Sequence, residues 1–144
     1  MANQYCTFRL GGHLFGVPVE TVQEVLREQQ LTAVPLAPKV VSGLINLRGQ
    51  IVITLDLRER MGLPSREPDQ EATNVVVRTS GDTVTSLLVD RIGDVLEPDM
   101  DRFEAPPDTV PAQVRDLVTH VCKLDRELML VLDTDKAVDV EYAA

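Results

Sequence analysis

The chain has 144 residues, 44% of them apolar but only 3% aromatic, and a formal net charge of −9. That length suits one domain, or two small barrels sharing a core, and the apolar fraction excludes intrinsic disorder. The acidic balance works against nucleic acid, whose phosphates are bound by Lys and Arg that release counterions, and against a polybasic membrane contact. No apolar run approaches the roughly 20 residues that span a bilayer. The start, MANQYCTFRL, lacks a basic stretch followed by an apolar one, so no signal peptide is expected and the expected location is the cytoplasm. With no Trp and few other aromatics, the core must be built from Val, Leu and Ile, which favour pleated, half-buried surfaces. Cys6 and Cys122 are expected to be reduced, buried thiols.

Residues 4–10 read as a strand with Cys6, Phe8 and Leu10 on one face and Thr7 and Arg9 on the other; Gly11-Gly12 turns it and Leu14 to Val17 returns. After Pro18, Val19, Val22, Val25 and Leu26 recur at helical spacing, which predicts a short amphipathic helix carrying Glu20, Gln23, Glu24 and Arg27 on its polar side. Pro35 and Pro38 exclude a central strand over 29–38, and Pro38 opens one predicted helical turn through Lys39 to Ser42, ended by Gly43. The stretch GLINLRGQIVITLDLRERMG, from Gly43 to Gly62, predicts strand, tight turn, strand. In its second arm Ile51, Ile53, Leu55 and Leu57 alternate with Val52, Thr54, Asp56 and Arg58, and Gly49 falls at the break.

Residues 64–74 are polar with two prolines and are expected to form the loop between barrels. Val75-Val76-Val77 begins a strand, Ser80-Gly81-Asp82 turns it, and Val84 to Val89 returns. Asp90 to Leu96 continues as strand with a bulge at Gly93. The proline-rich stretch 97–113 predicts a second loop, with one helical turn near Met100 to Phe103. Leu117 to Leu124 and Leu128 to Leu132 flank Asp125-Arg126-Glu127 as a third hairpin, and Asp133 caps a short closing helix near Lys136 to Val138. Short, punctuated strands with brief helices indicate an all-β barrel architecture.

Catalytic signatures are missing. There is no G-x-S-x-G, and neither His13 nor His120 sits in a recognisable motif. His120 and Cys122 share a strand face, but a zinc site would have to recruit Cys6 and His13 as well. Asp133, Asp135 and Asp139 lack the glycine and terminal glutamate of a calcium loop, and Gly11-Gly12 is not followed by Gly-Lys-Ser/Thr. No catalytic residue, metal or cofactor is therefore expected. Tyr5, Phe8, Phe15, Phe103 and Tyr142 are too few to stack bases or line a small-molecule pocket. Two features invite a binding role. Arg48 stands in an apolar context, where it either snorkels and bonds turn carbonyls or braces Glu24 or a partner backbone. Val22, Val25 and Leu26 are either core or, beside Glu24, a compact protein-binding patch.

Four segments carry a resemblance: FRLGGHLFGVPVETVQEVLR, VPLAPKVVSGLINLRGQIVITLDLRERMGLP, SLLVDRIGDVL and LDRELMLVLD. Together they resemble the CheW-like family of chemotaxis coupling proteins over nearly the whole length, the block around GLINLRGQIVITLDLR being the most specific. The resemblance implies an all-β fold of two small five-stranded SH3-like β-barrels about a shared hydrophobic core, with a few short helices. It implies one CheW-like domain over 1–144 with its barrel boundary near 64–74. It also implies a non-enzymatic adaptor that bridges chemoreceptor cytoplasmic tips and the regulatory domain of a CheA-type histidine kinase, in membrane-associated arrays whose rings include other CheW-like domains. By motif, Glu24 and Val25 would meet the kinase. Val22, Gly43, Arg48, Gly49, Val75, Ile92 and Val95 would form the receptor groove. The chain departs from typical members at His120-Val121-Cys122, at Ser86 and at Arg91, where small residues are commoner. A CheW-like subunit of a non-motility pathway fits the same residues, and co-purified partners would separate the two. An enzyme or small-molecule barrel is the alternative of another class, disfavoured by the missing nucleophile–base pairs.

Overall fold

The triple Val75-Val76-Val77 shows how this fold is built, because both faces of its strand are buried. The computed structural model describes residues 4–27 and 29–140, so Tyr142 lies outside them. Its strands are β1 (Tyr5–Leu10), β2 (His13–Pro18), β3 (Val22–Arg27), β4 (Val41–Leu47), β5 (Gln50–Asp56), β6 (Thr73–Arg78), β7 (Val84–Val89), β8 (Arg91–Leu96), β9 (Phe103–Glu104), β10 (Val118–Lys123) and β11 (Leu128–Leu132). Three short helices accompany them: α1 (Leu57–Arg60), α2 (Ala112–Arg115) and α3 (Thr134–Val138). One sheet has the order β8-β1-β2-β11-β10-β9 and the other β3-β6-β7-β5-β4. The sequence reading expected two five-stranded barrels; here β9 gives the first sheet a sixth, two-residue member.

Successive side chains of a strand point to opposite faces, so an aliphatic run feeds two compartments at once. Val75 and Val77 enter a core shared by both sheets, whereas Val76 enters the interior of the five-stranded one with Ile45, Leu47 and Val52. Leu130 and Leu132 join the shared core, while Met129 and Val131 fill the interior of the six-stranded sheet with Leu14 and Cys122. Shared core and barrel interiors together account for a composition rich in aliphatics and poor in aromatics.

The chain leaves the six-stranded sheet through a 3₁₀ turn at Val19–Thr21 and returns at Asp90, between β7 and β8. The loop expected to divide the barrels, 64–74, therefore joins α1 to β6 within one sheet, and β6 itself begins at Thr73. Polarity and proline marked that loop as exposed, but only strand pairing decides which elements it connects.

The helix expected after Pro18 is strand β3. A bulge explains the error: Val22 pairs with Val77 and Glu24 with Val76, leaving Gln23 as an extra residue. The insertion brings Val22 and Val25, three apart, onto one face and so imitates a helical period. The helical turn expected over Lys39 to Ser42 is a simple turn leading into β4, and Gly43 lies inside that strand beside a second bulge. Leu57 and Arg58 leave the strand for α1, because the Asp56 carboxylate accepts from the Arg58 backbone N–H and caps a helix. The period-two alternation of β5 holds, yet Val52 and Thr54 are fully buried while Ile51 is mostly exposed at the turn end. The bulge at Gly93, the turn at Met100–Arg102, the third hairpin and the Asp133-capped helix stand as expected.

Candidate protein-binding site

The β4–β5 hairpin turns at Arg48 and Gly49, with φ of +52° and +86°. Positive φ at both central residues gives the turn the twist of its strands and suits Asn-Gly; an arginine in the first position is held against its backbone preference. Two contacts hold it. The Asn46 carboxamide oxygen accepts from Gly49 N–H at 2.8 Å. The Arg48 guanidinium donates both Nη groups to the Glu24 carboxylate, at 2.7 and 2.5 Å. Glu24 lies opposite Val76 of β6, and its pairing with Arg48 ties one edge strand of the five-stranded sheet to the hairpin at its other edge. Nearby, Thr32 exchanges backbone hydrogen bonds with Leu44 and brings the segment after β3 onto β4, closing the barrel. Of the two sequence readings of Arg48, the brace is the observed one, acting on a strand in place of the expected helix.

Closure also explains Gly43. Its φ is +150°, and a Cβ there would lie 2.7 Å from the Thr32 carbonyl oxygen. Gly43 is buried beneath this segment and offers no surface. Val75 is likewise fully buried, in the shared core. Neither of these two can line a groove directly, whereas Gly49 is exposed with nothing within 4 Å of a would-be Cβ.

The remaining residues converge. Val25 lies opposite Val75 on β6, and Ile92 and Val95 lie opposite Phe8 and Cys6 on β1. Opposed side chains share a face, so all three extend the shared core beyond its two sheet edges. The β8 bulge makes this possible: Gly93 and Asp94 oppose the single residue Thr7, whose hydroxyl donates to the Asp94 carbonyl. Val25, Ile92 and Val95 are 39%, 40% and 56% exposed, and Val22 is half-buried against the same core. Val25 and Ile92 line a cleft of about 650 Å³ between β3 and β8, together with Leu26, Arg27, Ala72 and Arg91. The structure thus joins a residue assigned to the kinase contact with one assigned to the receptor groove.

Sequence reading missed the ion cluster that fixes β8. Asp90, at the crossing between sheets, accepts from Gly11 N–H, from Arg58 Nε and Nη2, and from Arg66 Nη2, at 2.7 to 2.9 Å. Burial pushes its carboxyl up, but the hydrogen bonds from Arg58, Gly11 and Arg66 and the charge of Arg58 outweigh it, holding the pKa at about 2. Asp56 is pushed up by burial, against the lowering charge of Arg66. The available signal is position: Asp90 directly follows the aliphatic run Leu87-Leu88-Val89, where β7 ends at the sheet junction.

Other candidate chemistry is accounted for locally. Asp133 caps α3, and Asp135 accepts from the backbone and hydroxyl of Ser80. His120 stands edge-on to Phe103, its pKa lowered by burial. Among the described residues, no three His, Cys, Asp or Glu side chains cluster to hold a metal, and no helix is long and apolar enough to cross a membrane. Cys6 and Cys122 are both free thiols.

The family model described as the CheW-like domain matches residues 4–141. The chain belongs to the CheW-like family. Similar relatives include the chemotaxis protein CheW of Klebsiella aerogenes, 27% identical with 100% of this chain and 86% of the relative covered. The chemotaxis protein CheW of Bacillus subtilis is also 27% identical, with 93% and 85% covered. Among solved structures, the scaffolding protein TtCheW of Thermoanaerobacter tengcongensis superposes with a TM-score of 0.86 at 27% identity, over 97% of this chain and 94% of that one. The CheW-like fold expected from the motifs is therefore the fold observed: two small barrels about a common core, with β3 and β8 bordering the cleft.

Proposed function

We propose that this protein is a chemosensory scaffold, coupling receptor cytoplasmic tips to a CheA-type histidine kinase without chemistry of its own. The observation that carries the reading is the seam of Val22, Val25, Ile92 and Val95, where the shared core reaches the surface beside the Glu24–Arg48 brace. A receptor tip is a helical hairpin, and an aliphatic cleft between rigid barrels takes an amphipathic helix with little reorganisation. Membership of the CheW-like family and likeness to a scaffolding protein support the same function. Glu24 and Val25 face the kinase regulatory domain, and Val22, Arg48, Gly49, Ile92 and Val95 face the receptor, with Gly43 and Val75 shaping the site from beneath. The protein works in the cytoplasm, recruited to receptor arrays at the membrane, where two modest interfaces on one body gain strength by acting together. Other CheW-like domains complete the array rings.

The test is reconstitution of kinase, receptor fragment and this chain. Arg48→Ala should leave a folded protein that fails to raise or lower kinase output in response to receptor, because the hairpin loses its tie to β3. Normal coupling by that variant overturns the site. Separate titrations of Glu24→Lys should show a larger loss toward the kinase than toward the receptor; equal losses refute the division of partners.

A further inference from the structure

We propose that the cleft between β3 and β8 selects a receptor segment whose aliphatic ridge is flanked by carboxylates, with Arg27 and Arg91 as the cations that read them. The proposal rests on the receptor-groove reading given above and goes beyond it in naming the charge of the partner. The chain carries a formal charge of −9, yet the charged side chains lining this cleft are Arg27, Arg91 and Glu71. An excess of positive charge beside exposed Val25 and Ile92 runs against the balance of the whole molecule. Such local contrast steers and discriminates partners more than it adds affinity.

Arg91 is placed at a cost. It lies directly across from Arg9 in the β1–β8 pairing, and like charges facing each other across strands are destabilising. Arg9 is compensated, since its guanidinium forms a two-pronged pair with Glu127 at 2.7 and 2.9 Å. Arg91 is not: among the described residues neither it nor Arg27 has an ion-pair partner. Both are exposed, and Arg91 also borders the adjoining depression formed with Arg9, Gly12, Gln70, Glu71 and Asp90. A guanidinium at each side of an aliphatic floor matches a helix that presents apolar side chains with Asp or Glu beside them.

The experiment titrates receptor signalling-tip fragments from the same genome against the full chain, the double variant Arg27→Glu/Arg91→Glu, and each single variant, at low and moderate salt. The substitutions are at exposed positions, and thermal melting checks that each variant folds. We expect the double variant to bind the fragment at least tenfold more weakly, wild-type binding to weaken with salt, and kinase-domain binding to stay within twofold. A fragment with its flanking acids changed to lysine should prefer the double variant, restoring most of the loss. Binding that survives the double variant unchanged overturns the charge selection alone and leaves the groove standing. Failure of every fragment to bind the unmodified chain overturns both.

Discussion

Asp90→Asn would test how the two sheets are held in register. Asp90 is the residue at which the chain passes from β7 to β8, and its carboxylate gathers Gly11 from one sheet and Arg58 and Arg66 from beside the other. The side chains of Arg58, Arg66 and Asp90 are only 11%, 10% and 22% exposed, so this pairing is poorly screened by water. With a neutral amide, two guanidiniums would share Asp56 alone, and Asp56 reaches only Arg66, at 3.5 Å. Leaving buried charge uncompensated costs about 3 kcal/mol, somewhat less where an Asn oxygen still accepts one hydrogen bond. The titration of Asp90 gives a comparable figure. Its fall from 3.8 to about 2 corresponds to about 2 kcal/mol of stability at neutral pH. Because the folded-state value is the lower one, that stability is fully present above pH 3.8 and is lost as pH falls through about 2.

Urea unfolding followed by circular dichroism, from neutral pH down to about 2, measures this directly. The difference between wild type and Asp90→Asn should be about 2–3 kcal/mol at pH 7 and should shrink as the pH approaches the folded-state value. Asp56, raised by burial, contributes in the opposite sense and gains stability on protonation as pH falls; present in both proteins, it largely cancels in the difference. A difference below about 0.5 kcal/mol at pH 7, or one that ignores pH, would refute the clamp.

Three further outcomes are expected. Gly43→Ala should lower stability by about 2 kcal/mol, because its Cβ would press on the Thr32 carbonyl and push the closing segment off β4; an unchanged melting temperature rules this out. Ile92→Asp combined with Val95→Asp, at two partly exposed aliphatics, should abolish capture of receptor fragments while circular dichroism shows the protein still folded, and retained capture would place the receptor elsewhere. Cys6 and Cys122 should react slowly with an aromatic disulfide reagent in the native protein, burial holding both thiols above their ordinary pKa. Unfolding should release both thiols, and protection of both after unfolding would reveal a disulfide.

The hairpin around Arg48-Gly49 was legible because it is local: alternation sets two strands and a glycine sets the break. The Asp133 cap and the bulge at Gly93 were legible for the same reason. The β3 helix was misread because a bulge gives strand residues the spacing of a helix, and only pairing with β6 exposes the extra residue. Gly43 and Val75, singled out by motif, were pictured as surface, but Gly43 lies beneath the segment at Thr32 and Val75 lies in the shared core, contacts no local pattern shows.

Sequence alone therefore determined the strand-rich class, the aliphatic core and the family, because side-chain alternation and motif spacing are properties of neighbouring residues. Tertiary structure decided which strands share a sheet, where the chain crosses at Asp90, and that Val25 and Ile92 meet across one cleft. Those outcomes depend on contacts between residues far apart in the chain, and no local pattern encodes which distant edge a strand will meet.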